Sequence, residues 1–123
     1  MENNNSNLET VRSYYQAWTG KDFDTAASLI DESVRIEVPI NSYGSKTEFM
    51  DAVRFTAGTV EDVTLLSEYA GDDKVLLLYD MELRGVGPVR IAEEFCVRNG
   101  RIVSILHVHD TMPFRQPAFG TSL

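Results

Sequence analysis

The sequence predicts an α+β domain in which three helices pack on a curved, mostly antiparallel sheet. Three observations predict it. Before Gly58, apolar residues recur mainly at helical spacing behind helix-capping residues; from Thr59 onward the period drops to two. Turn-forming clusters divide that second half into four runs, and Asn99-Gly100 between two apolar runs is a strong hairpin signal. The length of 123 residues fits one domain, with no internal repeat and no linker.

Each element has its own reason. Ser6 and Glu9 form an S-x-x-E capping box, and Leu8, Val11, Tyr14, Tyr15 and Trp18 follow on one helical stripe until Gly20 stops it. Asp22 caps a second helix with Phe23, Ala26, Ala27 and Ile30 on its apolar face. "SVRIEVPI" alternates through Val34, Ile36 and Val38 until Pro39, as a strand does. Ser45 and Glu48 open a third helix through Phe49, Val53 and Thr56 or Ala57. The four later strands, near 60–70, 74–84, 89–98 and 101–110, are joined by turns short enough for an antiparallel meander. Residues 7–114 form the expected domain, with a flexible tail at 1–6 and a loosely held one at 115–123.

Composition excludes several function classes. The net charge is −8 and the eleven Lys and Arg residues are scattered singly, so no phosphate-binding footprint exists and nucleic acid is not an expected partner. No apolar run approaches the ~20 residues of a membrane span. Cys96 is alone and "MENNNSN" lacks the basic start and apolar run of a signal peptide, so a cytoplasmic protein is expected.

Chemistry enters where the strand faces are assigned. Leu77, Tyr79, Met81 and Leu83 share an inward face, as do Val89, Ile91, Glu93, Phe95 and Val97. Glu93 is the misfit: a carboxylate on an apolar face must find a partner, take up a proton or sit in a wet cavity. The last strand, "RIVSILHVHD", carries His107 and His109 on one parity with Val103 and Ile105. A two-residue hairpin with Arg98 opposite Arg101 sets Glu93 against Leu106; a single bulge sets the histidines on the Glu93 face instead. Both registers are open at this point, and so are packing, metal ligation and proton transfer as uses for the imidazoles. His-x-His with a carboxylate is a metal-ligand pattern, but no further motif supports it and no metal is expected.

The element order, the helix "VRSYYQAWTGKDFDTAASLI", the strand "VRIEVP", the helix opening "YGSKTEF" and the hairpin "AEEFCVRNGRIVSILHVHD" resemble the nuclear transport factor 2-like superfamily. Within it they resemble the SnoaL-like polyketide cyclase and ketosteroid isomerase branch, over residues 8 to about 114. The resemblance implies a cone-shaped α+β barrel whose mouth holds a hydrophobic pocket, and dimerisation through the outer sheet face. It also favours the bulged register, because the family lines the pocket from the last strand.

Roles follow from the resemblance residue by residue. Tyr14 is similar in position to the tyrosine that donates to a substrate oxyanion in the isomerases, and Glu93 to their second, acidic donor. Val38 stands where their proton-shuttling aspartate is, so steroid isomerisation by that route is not expected. Tyr79, Met81 and His107 replace the charged triad of the epoxide hydrolase branch, which removes that reaction. His107 or His109 is the expected base, with Glu93 orienting a histidine or donating as a neutral acid. Trp18, Val38, Phe55, Tyr79, Met81, Phe95 and Ile105 are the expected pocket wall. The implied activity is cofactor-free acid–base chemistry, a cyclisation, isomerisation or dehydration, on a hydrophobic oxygenated molecule. A non-catalytic ligand-binding or dimerisation module of the same fold is the alternative. A homodimer is expected through Leu76, Leu78, Leu106 and Val108, which form an apolar outer parity.

Overall fold

A computed structural model describes residues 4–115; of the expected tails, 1–3 and 116–123 lie outside the described residues, while 4–6 belong to the first helix and Arg115 to the last 3₁₀ turn. The elements run α1 (Asn4–Thr19), α2 (Phe23–Ser28), β1 (Ile30–Glu37), α3 (Lys46–Thr59), β2 (Val60–Gly71), β3 (Lys74–Leu83), β4 (Gly87–Arg98), β5 (Arg101–His109) and a 3₁₀ turn at Met112–Arg115. The five strands form one sheet in the order β1-β5-β4-β3-β2. β2 to β5 are the antiparallel meander, and β1 returns parallel to β5. The α+β class and the three-helix, curved-sheet layout are those read from the sequence.

Local departures have local causes. α1 starts at Asn4 and not behind a Ser6 cap, because Asn7 is buried and its Nδ2 donates to the Asp72 carbonyl in the β2–β3 turn at 3.2 Å, anchoring the first turn. The helix does end at Thr19, but Lys21 takes the left-handed conformation (φ 64°). Its N–H reaches the Trp18 carbonyl, and the Asp22 N–H the Ala17 carbonyl, a doubly bonded C-terminal cap. Ile30 leaves the helix and enters β1, fully buried opposite Ile102, so α2 is only six residues long. Asp22 caps α2 and Ser45 caps α3 as expected.

The meander is fixed by its turns and bulges. Asn99 (φ 53°) and Gly100 (φ 75°) both adopt positive φ, the geometry that makes a two-residue turn match strand twist. β3 and β4 pair without a break from Lys74–Cys96 to Leu83–Gly87. β4 and β5 do not: Val97 opposes Ile102, Cys96 opposes Ser104, and Val103 is the extra residue of a bulge. That bulge lets Ile102 and Ile105 both point inward, 0% and 2% exposed, which strict alternation forbids. It also turns His107 and His109 inward and leaves Leu106 and Val108 outside, so of the two registers open in the sequence the bulged one is adopted.

The core lies between helices and sheet. Tyr14 meets Phe95 edge-on at 5.8 Å, and Tyr15 and Trp18 of α1 pack on Tyr79 at 5.4 and 6.4 Å. Such ring pairs contribute about 0.5–1.5 kcal/mol beyond burial, whereas an exposed ion pair such as Arg90–Asp80 is screened by water. The aromatic stack therefore sets how α1 sits on the sheet. Lys46 Nζ donates to the Ile30 carbonyl at 2.8 Å and ties α3 to β1. No helix among the described residues is long and apolar enough to cross a membrane.

Candidate functional site

The site forms where α1, α3 and the loop after β1 stand off the sheet. Tyr14 and Trp18 come from one stripe of α1, and Phe49, Ala52, Val53 and Thr56 from one face of α3. Val38 and Tyr43 come from the loop, Tyr79 and Met81 from β3, Glu93 from β4 and His107 from β5. They line a cavity that opens to solvent. A second cavity adjoins it, walled by His109, Asn41, Ile40 and Phe114 and sharing His107 and Met81 with the first.

Glu93 is the chemical centre of the inner cavity. It is 4% exposed, and the Tyr79 hydroxyl donates to its Oε1 at 2.7 Å. Burial disfavours the carboxylate and pushes the pKa up to about 7, although the Tyr79 hydrogen bond pulls the other way. Tyr14 is 2% exposed; burial and then the Glu93 charge raise its pKa well above the usual phenol value, so its hydroxyl keeps its proton. The same two causes, with the hydrogen bond, raise Tyr79.

His107 lies directly opposite Glu93 on the ladder, yet the two make no hydrogen bond to each other among the described residues. Its Nε2 is buried without a hydrogen-bond partner, an arrangement that calls for a reason. Burial first, and His109 second, push its pKa down to about 4, so at neutral pH the imidazole is uncharged. The His109 ring is 5.4 Å from that of His107 and 5.1 Å from Phe114. Its Nδ1 lies 2.9 Å from the Asp110 carbonyl oxygen, which only accepts, so Nδ1 carries the hydrogen. The Glu93 carboxyl is held by the Tyr79 hydroxyl and not by an imidazole.

The expected wall is partly redrawn. Trp18, Val38, Tyr79 and Met81 line the inner cavity. Phe55 does not: it is 72% exposed, because α3 turns Phe49, Ala52, Val53 and Thr56 inward and carries Phe55 to the opposite side. Phe95 and Ile105 are core side chains outside the cavity wall. Among the described residues no three His, Cys, Asp or Glu side chains converge as a metal-binding set, so the His-x-His pattern is not completed by Glu93. Tyr43, Phe49, Ala52, Val53 and Thr56 were not foreseen as wall. The helical period of α3 could have shown Ala52, one turn before Thr56; the loop around Tyr43 has no period to read.

Residues 11–105 match the family model of the SnoaL-like domain. The chain belongs to the SnoaL-like family. Among solved structures, this SnoaL-like chain is similar to a protein from Kribbella flavida at 28% identity and TM-score 0.84, over 91% of this chain and 92% of that one. It is similar in fold to a nuclear transport factor 2-like protein from Cytophaga hutchinsonii at 15% identity and TM-score 0.80, over 89% and 95% of the two chains. A second Kribbella flavida protein, provisionally named a ketosteroid isomerase, shares the fold at 16% identity and TM-score 0.74, over 87% and 79%. No curated protein matches the chain significantly. The inner cavity lies between the helices and the inward face of the sheet.

Proposed function

We propose that this SnoaL-like protein catalyses a cofactor-free proton transfer on a hydrophobic, oxygenated small molecule, with Glu93 as the acid–base group. The observation that carries this reading is a buried carboxyl with a pKa near 7 in an otherwise largely apolar cavity, beside a tyrosine hydroxyl that stays protonated. A group poised near the working pH is the most effective proton-transfer catalyst. As carboxylate, Glu93 takes the proton from a carbon next to a substrate carbonyl, and the C–H electron pair moves through the new C=C bond onto the carbonyl oxygen. The Tyr14 hydroxyl donates a hydrogen bond to that oxyanion. Glu93, now neutral, returns the proton to the same or a neighbouring atom, completing an isomerisation or the proton movements of a ring closure. Neutral His107, with Nε2 unpartnered, meets a second polar atom of the substrate and so orients it. The resemblance to a provisionally named ketosteroid isomerase supports the chemistry and not the substrate.

The test is hydrogen–deuterium exchange at the α-carbons of apolar ketones in heavy water, followed by NMR. The wild-type chain is expected to accelerate exchange, and Glu93→Gln to lose about 10²-fold or more of that acceleration, the usual contribution of a general acid–base group. Undiminished exchange in Glu93→Gln contradicts the assignment. A chain that binds the ketones without exchanging them is a binding module.

The same reading includes a homodimer through the outer sheet face. Leu78, Ala92 and Val108 lie in register across β3, β4 and β5, and Tyr69 pairs with Leu76 one row away. Val108, Tyr69 and Leu106 are 55%, 62% and 39% exposed, a contiguous apolar area that a second copy would cover.

A further inference from the structure

Two cavities meet at His107, and the difference between them carries an inference about the ligand. Val38, Tyr43, Thr56, Met81 and His107 wall both, so the inner and outer spaces are continuous neighbours around the same side chains. The inner one ends on Glu93 and Tyr14, 4% and 2% exposed; the outer one is bordered by Ile40, 52% exposed, and by Phe114 on the 3₁₀ turn after β5. Both cavities open to solvent, and the one that reaches Ile40 and Phe114 lies beside the one that ends on Glu93.

The outer cavity has its own chemistry. Its wall is Ile40, Leu83, Ile91, Met81 and Phe114, interrupted by Asn41, the histidines and two hydroxyl-bearing side chains. Among the described residues neither cavity is lined by a Lys or Arg, and the outer one has no carboxylate either. An anionic group in either cavity would lose hydration and meet no partner of opposite sign. A negative head would in addition end beside Glu93, in a chain of net charge −8.

We propose that the outer cavity is a second subsite of the same site, and that the ligand is an elongated molecule carrying no negative charge: its oxygenated head lies in the inner cavity and its apolar tail in the outer one, closed over by Phe114. This rests on the acid–base reading for the position of the head. His107, at the junction, then sits where head joins tail, and Phe114 with Ile40 selects tail length.

The experiment uses the wild-type chain with straight-chain 2-alkanones of five to ten carbons, and carboxylates of the same lengths. Binding is followed through the fluorescence of Trp18, the chain's single tryptophan and part of the inner wall, and through the imidazole NMR signals of the two histidines. Ketone affinity is expected to rise about threefold for each added methylene that leaves water, with the His109 signals moving only for the longer members. The carboxylates are expected to bind at least about tenfold more weakly, the cost of stripping water from an unpaired charge. Phe114→Ala and Ile40→Ala are expected to lose affinity in proportion to tail length. Equal affinity across the ketone series, equally tight carboxylates, or a loss in both variants that is the same for every length overturns the subsite. If short ketones quench Trp18 and shift His107 but length has no effect, the subsite falls while the acid–base reading stands. If no ketone of any length disturbs Trp18, the reading itself fails and the subsite with it.

Discussion

Glu93 faces His107 across the β4–β5 ladder, but its hydrogen bond goes to Tyr79 on the other neighbouring strand, at 2.7 Å. Two groups that an ion pair would have charged are thus both held towards neutrality: the carboxyl is raised to about 7 and the imidazole lowered to about 4. Burial is the larger cause in both, and it acts against charge of either sign.

Tyr79 tunes the carboxyl. Its hydroxyl stabilises the charged form of Glu93, so Tyr79→Phe is expected to raise the carboxyl's pKa further. A hydrogen bond to a charged group contributes about 1.5–3 kcal/mol, which corresponds to a rise of about one pH unit or more. The rising limb of the ketone-exchange pH profile should move up by that amount, with the rate above the limb nearly kept. An unmoved limb means that Tyr79 does not set the proton affinity of the acting group.

Glu93 also leaves a mark on stability. Its folded pKa of about 7 exceeds the ordinary 4.5, so the native state binds the proton more tightly than the unfolded chain. The resulting stabilisation is complete below pH 4.5 and is lost as pH rises through 7. Over that window it amounts to about 3 kcal/mol. Urea unfolding should show Glu93→Gln gaining on the wild type by up to this amount between pH 4 and pH 8, and a difference independent of pH contradicts the buried carboxyl.

The histidines report separately. With only two in the chain, their ring signals are assignable by single substitution. His107 is expected to titrate near pH 4, and His109→Gln to raise that midpoint slightly by removing a like charge. A His107 midpoint at or above the ordinary 6.5 would mean that Glu93 pairs with it as an ion.

Much of this was legible in the sequence, and the rest was not for identifiable reasons. Tyr79, Glu93 and Phe95 could be assigned to the inward face because β3 and β4 alternate strictly, and their ladder has no break. The side chosen by His107 depended on one bulged residue, Val103, whose extra position has no signature in the alternation of β5. Phe55 was misplaced because an apolar residue next to Thr56 looks like wall until the helix is rotated to bury Phe49 and Val53. The Tyr79–Glu93 bond joins two strands through side chains, and register alone does not show which of two neighbours a carboxyl will choose.

The outer face offers a test of assembly. Val108→Glu places a charge on the exposed parity of β5, away from both cavities, and is expected to convert a dimer into a folded monomer of unchanged secondary structure. Light scattering on the two chains checks it. A wild-type chain that is already monomeric at micromolar concentration removes the outer-face interface.

The protonation of Glu93 decides the account most directly. Its side-chain carboxyl carbon, identified by its absence in Glu93→Gln, can be followed by NMR of isotopically labelled protein from acid to alkaline pH. A midpoint near 7 is expected, as burial among Tyr14, Tyr79 and Trp18 requires. A midpoint near 4.5 would mean an ordinary solvated carboxylate, and Glu93 would then be neither the neutral acid nor the poised base of this cavity.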